Sequence, residues 1–326
     1  MKNLVFKLFP NKILQIIYSR YKTHQLRRQY RPAEIAHQNI LRKFPNHLII
    51  WMSDDKMKQG GLCDRLWGAI STYSRCQSLN FNFKIHFISP FDLTKYLIPN
   101  HYNWEINKEE ITKDSNLATP FFWPDLTSVS NTKYLDNILL RNSKSFQQIH
   151  IYTNLKSDID FTNIFNHLFK PSNYLTEHLN KILSTVPYKK FISISFRFIG
   201  LLGDFKDVSN TQLTPSQQAF YMEKCKNAIL DLPIPDGCGI LVTSDSPRFQ
   251  EYISDLPNVF KIPGKISHLG NNICDDDSHL KTFLDLFMIS KAEKAYFGWY
   301  GEMYKHSAFA RTGALIGAVP FEIIEL

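Results

Sequence analysis

The chain of 326 residues lacks most of the features that mark a specialised class. Cysteine is scarce: Cys63, Cys76, Cys225, Cys238 and Cys274 make an odd set with no CxxC spacing. Such a set predicts reduced thiols and neither a disulfide framework nor a structural zinc site. No apolar run approaches the ~20 residues that cross a bilayer. The basic, partly apolar opening MKNLVFKLFPNKILQIIYSRY is interrupted by Pro10 and Lys12. It lacks the long clean apolar stretch and small-residue cleavage site of a secretory signal, so a cytoplasmic protein is expected. Internal repeats and low-complexity segments are also absent. Acidic residues are missing from the first 31 positions, which hold eight of the 38 Lys and Arg. The rest of the chain therefore carries 30 basic and 30 acidic residues and is formally neutral. Nucleic-acid binding is not expected of it, because phosphate contacts need distributed Lys and Arg.

What the chain does have is an ordinary globular composition, 44% hydrophobic and 21% charged, with a high aromatic share of 14%. Aromatics fill cores by default and also line sugar-binding clefts. The length predicts two domains. Residues 12–30 place Ile13, Ile16, Ile17 and Tyr21 at helical spacing among Lys12, Arg20, Lys22, Arg27 and Arg28. This predicts a basic amphipathic helix. It reads equally as a helix packed on the first domain or as a peripheral contact with anionic lipid.

From His47 the pattern becomes strand, glycine loop, helix, strand. Leu48–Met52 is a continuous apolar run, Gly60-Gly61 follows, Leu62 to Cys76 repeats at helical spacing, and Phe83–Phe91 is strand-like. That is the seed of a doubly wound parallel sheet. Residues 92–145 read as loop-rich, punctuated by Pro99, Pro120 and Pro124. A strand at 149–153 and a helix over 161–185 lead to a boundary near Pro187. The second half alternates strands at 190–196, 240–243, 258–262 and 294–297 with helices at 215–230, 279–291 and 306–316. The fold class predicted is α/β with two Rossmann-like domains, 1–186 and 187–326.

Ligands of open parallel sheets collect beyond the carboxyl ends of the strands. Four segments follow such ends. Gly60-Gly61 precedes a helix, where backbone N–H groups can meet an anion; the same pair also serves a plain strand-to-helix turn. Arg197, after Ser193–Phe196, offers a planar cation that grips phosphate bidentately, or forms a surface salt bridge. Thr243-Ser244-Asp245-Ser246 offers small polar groups for a base or ribose, or an ordinary turn. Ser307 reads as a helix cap that leaves the first N–H groups of residues 307–309 facing a diphosphate, or as a simple cap.

In this order the four segments resemble the superfamily of α1,6-fucosyltransferases, protein O-fucosyltransferases and the bacterial nodulation fucosyltransferase. The segment GGLCDRLWGAIS is similar to the family's glycine-rich helix start, ISFRF to its HxR motif and TSDS to its S-D motif. DLFMISKAEKAYFG with SAFARTGALIG is similar to its C-terminal signature. The resemblance covers about residues 47–90 and 187–320. It implies a GT-B-type pair of domains facing a cleft, GDP-fucose as donor, inversion at the anomeric carbon, and no metal or other cofactor. It implies that Arg197 contacts the diphosphate, that Ser244 and Asp245 lie near the nucleoside, and that Ser307, Ala308 and Phe309 bind phosphate. Gly60 and Gly61 match the N-terminal motif, and His268 falls near the base.

Two departures stand out. Ser195 replaces the family His, and Phe198-Ile199-Gly200 replaces the acid that usually follows the Arg. An inverting transfer needs a carboxylate to take the acceptor proton. Asp204 is the first candidate and Asp64 the second. Another GDP-sugar donor, or a nucleotide-sugar binder without turnover, stands as the alternative. The expected acceptor is a glycan, lipid-linked if the basic helix touches an inner membrane, as in bacterial surface polysaccharide synthesis.

Overall fold

Leu48–Ser53 forms strand β1, and all six residues are buried, as a continuous apolar run requires of a strand covered on both faces. The computed structural model describes residues 11–32, 47–124, 132–205, 211–265 and 276–326. Strand β2 (Asn82–Phe87) alternates half-buried and buried positions, whereas β3 (Ala118–Trp123) and β4 (Gln148–Thr153) are buried throughout. The four strands make a parallel sheet in the order β2-β1-β4-β3.

Helix α1 spans Asn11–Arg27. Helix α2 (Leu62–Ser78) buries Leu62, Leu66, Ala69, Ile70, Tyr73 and Cys76, the set that helical spacing predicts. A Cβ on Gly68 of this helix would lie 2.0 Å from the Thr153 carbonyl oxygen. Only glycine lets α2 approach the end of β4 so closely.

Strand β3 is hidden from sequence reading by Pro120. It is an edge strand, where a residue without an N–H is tolerated. Helix α1 covers the free edge with polar side chains. Gln15 Nε2 donates to the Pro124 carbonyl at 2.6 Å and Ser19 Oγ to the Phe122 carbonyl at 2.5 Å. Phe122 N donates to Thr23 Oγ1 at 3.1 Å. The unpaired backbone of an edge strand is thereby closed to other chains.

A buried polar relay crosses the same sheet. Tyr30 Oη lies 2.5 Å from His150 Nδ1, and His150 Nε2 lies 3.1 Å from Gln148 Oε1. Burial first, then the charge of Lys113, pushes His150 from its ordinary value of 6.5 down to about 3. The unfolded chain takes up a proton there near pH 6.5, and the fold does not. Stability contributed by the neutral ring is thus present above 6.5 and is lost as pH falls towards 3. The loss reaches up to about 1.4 kcal/mol per pH unit. Urea unfolding at neutral and mildly acid pH is expected to show this slope, and His150→Gln to flatten it.

The chain forms two compact units, Met1–Leu93 with Pro99–Phe169, and Thr94–Ile98 with Lys170–Leu326. The boundary thus falls at 169/170 rather than at 186/187. The single helix expected over 161–185 does not form. Pro171 separates α4 (Phe161–Leu168) from α5 (Asn173–Thr185), with α3 (Thr132–Asn142) earlier in the chain. Ser172 caps α5 by accepting from Leu175 N at 3.2 Å. Helix α5 belongs to the second unit, where Tyr174 meets Tyr96 and Tyr96 stacks on Phe283 with ring centroids 4.4 Å apart.

The second unit carries strands β5 (Lys190–Phe196), β6 (Cys238–Ser244), β7 (Val259–Phe260), β8 (Ala295–Trp299) and β9 (Phe321–Glu325). All pair in parallel, in the order β9-β8-β5-β6-β7. Besides α5, the helices described in this unit are α6 (Pro215–Leu230), α7 (Pro247–Tyr252), α8 (Asp276–Ile289) and α9 (Phe309–Ile316). Along β5, Ile192, Ile194 and Phe196 join Met222, Cys225, Ile229 and Phe249 in one core cluster. By strand alternation Ser193, Ser195 and Arg197 share the opposite side. The chain runs from β5 outward through β6 and β7, then returns to place β8 on the other side of β5. The order therefore reverses between β5 and β8.

Candidate active site

Such a reversal leaves a crevice beyond the carboxyl ends of the two strands, because their following loops diverge. Arg197 is the first residue after β5. Its Nε lies 3.4 Å from Asp245 Oδ2, and its guanidinium stands over the Phe205 ring, 5.5 Å from the centroid. The Arg197 carbonyl accepts from Tyr304 N at 3.1 Å. That bond ties the end of β5 to the loop that follows β8.

The turn after Arg197 is strained. Ile199 has φ +51°, a left-handed conformation that a β-branched residue rarely adopts, and Gly200 follows with φ +98°. Asp245, just after β6, holds it. Its Oδ1 accepts from Phe198 N and its Oδ2 from Ile199 N, each at 2.8 Å. Burial pushes the Asp245 carboxyl above the usual range, against the pull of Arg197 and the two backbone donors. Asp245 was expected to face the nucleoside. Instead both oxygens are committed to the turn that aims Arg197, which gives it a positioning geometry.

Asp245→Ala removes the acceptor of two backbone donors and the partner of Arg197. A loss of about 2–4 kcal/mol in stability is expected, from unpaired N–H groups and a released strained turn. Melting of the variant checks this, and Asp245→Glu is expected to recover only part of it.

Ser244 Oγ accepts from Ser246 N at 3.1 Å, so it closes the turn after β6. Ser246 caps α7 by accepting from Phe249 N at 3.0 Å and donates to Asp204 Oδ2 at 2.6 Å. Arg248 N donates to the same oxygen at 2.8 Å. Asp204 is exposed, and its Oδ1 makes no hydrogen bond among the described residues. Thus one oxygen fixes the carboxylate while the other is left unbonded among the described residues. Ser195 Oγ lies 2.6 Å from Thr243 Oγ1, across β5 and β6.

Helix α9 starts one residue later than a Ser307 cap requires. Its N-cap is Ala308, and Ser307 Oγ lies 3.5 Å from Phe309 N, too far for a firm cap. The first turn is left without a side-chain cap, and residues 307–309 are half-buried. Such an end attracts an anion through its unpaired N–H groups and the helix dipole.

The loop between β8 and α9 is pinned to the body of the unit. Met303 is buried, Glu302 N donates to Tyr221 Oη at 3.2 Å, and Tyr304 remains exposed.

In the first unit, Gly60 has φ +81°, and a Cβ there would meet Asp64 Oδ2 at 2.4 Å. The glycine is needed because Asp64 folds back over the helix start. Its Oδ2 accepts from Gly61 N at 3.1 Å and its Oδ1 pairs with Lys156 Nζ at 2.9 Å. Gly60-Gly61 therefore presents a helix start already occupied by a carboxylate, and Asp64, with both oxygens engaged, has the geometry of a cap rather than of a base.

Sequence reasoning missed Arg65. It is buried, donates from Nε to the Gly60 carbonyl at 3.2 Å and from Nη1 to the Ser89 carbonyl at 2.8 Å and to Ser53 Oγ. Burial lowers its pKa to about 10, which leaves it charged at neutral pH. Phe205 was missed as well, since nothing in its spacing marks a platform under a cation. His268 lies outside the described residues.

No protein-family model matches the sequence, and no curated protein matches it. Solved structures do. NodZ from Bradyrhizobium superposes with a TM-score of 0.55 at 14% identity, over 86% of this chain and 94% of that one. FUT1 of Arabidopsis thaliana, as a mutant in complex with GDP, superposes at 0.57 and 11% identity, over 93% and 78% of the two chains. POFUT1 in complex with GDP superposes at 0.51 and 12%, over 86% and 99%. Likeness at these identities speaks to the backbone: this chain has the fold of the fucosyltransferases that its motifs resemble.

Proposed function

We propose that this chain is a glycosyltransferase that moves fucose from GDP-fucose to a glycan acceptor with inversion at the anomeric carbon. The observation that carries the reading is Arg197 at the point where the strand order reverses, aimed by Asp245 and tied to the loop that leads into the uncapped start of α9. A guanidinium and a helix start together form a diphosphate site. On the same fold, NodZ crystals have been soaked with GDP-fucose and POFUT1 has been solved in complex with GDP.

In this reading the charge that develops on the departing GDP is met by Arg197 and by the N–H groups of residues 309–311. Both are fixed before the reaction, so they strengthen in the transition state without reorganising. Arg197 takes the place of a divalent ion. Asp204, held by Ser246 and Arg248 through one oxygen, accepts the proton of the acceptor hydroxyl on the other. We place the acceptor among lipid-linked surface glycans, on the strength of the basic N-terminal helix.

The test is turnover in chelator. Purified protein is expected to hydrolyse GDP-fucose slowly in EDTA, and faster with a suitable acceptor. Activity with UDP- or CMP-sugars in place of GDP-fucose would remove the donor assignment. A second reading, a GDP-sugar binder without turnover, draws on Ser195, whose hydroxyl is spent on Thr243. It predicts GDP binding with no release of fucose.

A further inference from the structure

Helix α1 is turned the opposite way from an ordinary surface helix. Its inward stripe is mostly polar: Gln15, Ser19 and Thr23 are buried and bonded to the backbone of β3 and of Pro124 just after it, and only the last inward position, Leu26, joins an apolar cluster. Its outward stripe is apolar and basic. Ile17 is 54% exposed and Tyr21 57%, and they continue at helical spacing into His24 and Arg28, both exposed. Tyr18 is partly exposed with its ring edge-on to Phe122, and Arg20 and Arg27 flank the stripe. Lys22 sits 5.8 Å from the ring centroids of both Tyr18 and Tyr21.

Edge capping of β3 accounts for the polar stripe and leaves the outward one unexplained by the fold. Exposing Ile17 and Tyr21 to water is unfavourable, and nothing in the packing of α1 requires it. The chemistry of the stripe is specific. An aliphatic side chain and two tyrosines lie among cations, with no acid anywhere in the first 31 residues. Tyrosine favours the headgroup level of a bilayer, and Lys and Arg favour its anionic phosphates.

We propose that this face of α1 docks on the surface of an anionic bilayer, with Ile17 and Tyr21 entering the headgroup layer and Arg20, Arg27 and, just past the helix end, Arg28 meeting lipid phosphates. The helix lies on the surface and does not cross it; among the described residues no helix is long and apolar enough to span a membrane. The inference deepens the lipid-linked acceptor reading above but does not use the donor site.

The test is co-sedimentation of the full chain with vesicles of phosphatidylcholine alone or mixed with phosphatidylglycerol. Binding is expected to the mixed vesicles only, and to weaken with added salt. Arg20→Ala with Arg28→Ala is expected to lose about thirtyfold in affinity, at about 1 kcal/mol per basic residue. Ile17→Ser with Tyr21→Ser is expected to lose about tenfold or more, at unchanged melting temperature. Equal affinity for both vesicle types, or for neither, overturns the proposal. So does a dimer in lipid-free solution that the Ile17 and Tyr21 substitutions convert to monomer, since the covering partner is then a second copy. GDP binding measured on the same samples is expected to be unaffected, so failure of the donor reading shows separately.

Discussion

Replacing Arg197 with Ala is expected to lower kcat/KM for GDP-fucose by about 10²–10³, the range found when one preorganised charge-stabilising donor is removed. The side chain meets Asp245 on one side and the Phe205 ring on another, and the Tyr304 bond to its carbonyl fixes the backbone beneath it. Its truncation also leaves Asp245 buried without its cation. The carboxyl, already raised by burial, then rises further, so the alanine variant is expected to lose some stability as well. Arg197→Lys separates the two effects. It keeps a positive charge beside Asp245, and it lacks the planar fork that grips a diphosphate. Near-normal melting with a large loss of turnover is the expected result for the lysine variant. Single-turnover release of fucose, followed beside thermal melting, checks both.

Asp204→Asn is expected to reduce turnover by about 10²–10⁴, the usual contribution of a positioned general base. Asparagine keeps an oxygen for Ser246 and Arg248, so the cap of α7 survives and GDP affinity is expected to stay unchanged. The split between lost kcat and retained GDP binding is the signature that a purely structural role would not give. Asp64→Asn provides the contrast. Its oxygens serve Gly61 and Lys156, so a modest stability change with turnover near normal is expected. A large kcat loss at Asp64 and none at Asp204 would reverse the assignment.

The two parallel sheets were legible because their central strands announce themselves. Leu48–Ser53 opens on a continuous apolar run, and Phe191–Phe196 alternates apolar residues with Ser193 and Ser195 at the strand period. Elements at the margins were not. Strand β3 contains Pro120, which excludes a central strand but not an edge strand closed by side chains of α1. Pro171 splits what spacing alone reads as one helix, and the unit boundary moves with it.

The candidate site shows the same division. That Arg197, Asp245 and the loop leading to residues 307–309 follow the carboxyl ends of neighbouring strands is a consequence of their places after β5, β6 and β8, which are adjacent in the sheet. Spacing carries this information because ligands of such sheets meet the chain at strand ends. What each side chain does there depends on atoms a residue or two away in space. Asp245 turns inward because Ile199 needs an acceptor in a left-handed turn, and no period or composition records that need. Likewise Asp64 caps its own helix because Gly60 leaves room for it. Helix α1 was read correctly as basic, but its polar residues face inward, because a strand edge needs hydrogen bonds more than it needs apolar contact.

Arg197 as the diphosphate grip is the centre of the account, and GDP binding tests it most directly. Thermal melting of the wild-type chain is expected to shift upward with GDP and GDP-fucose, not with UDP or CMP, and to do so in EDTA. The same shift is expected to vanish in Arg197→Ala. An equal shift in that variant, or one produced by UDP as readily as by GDP, would contradict it.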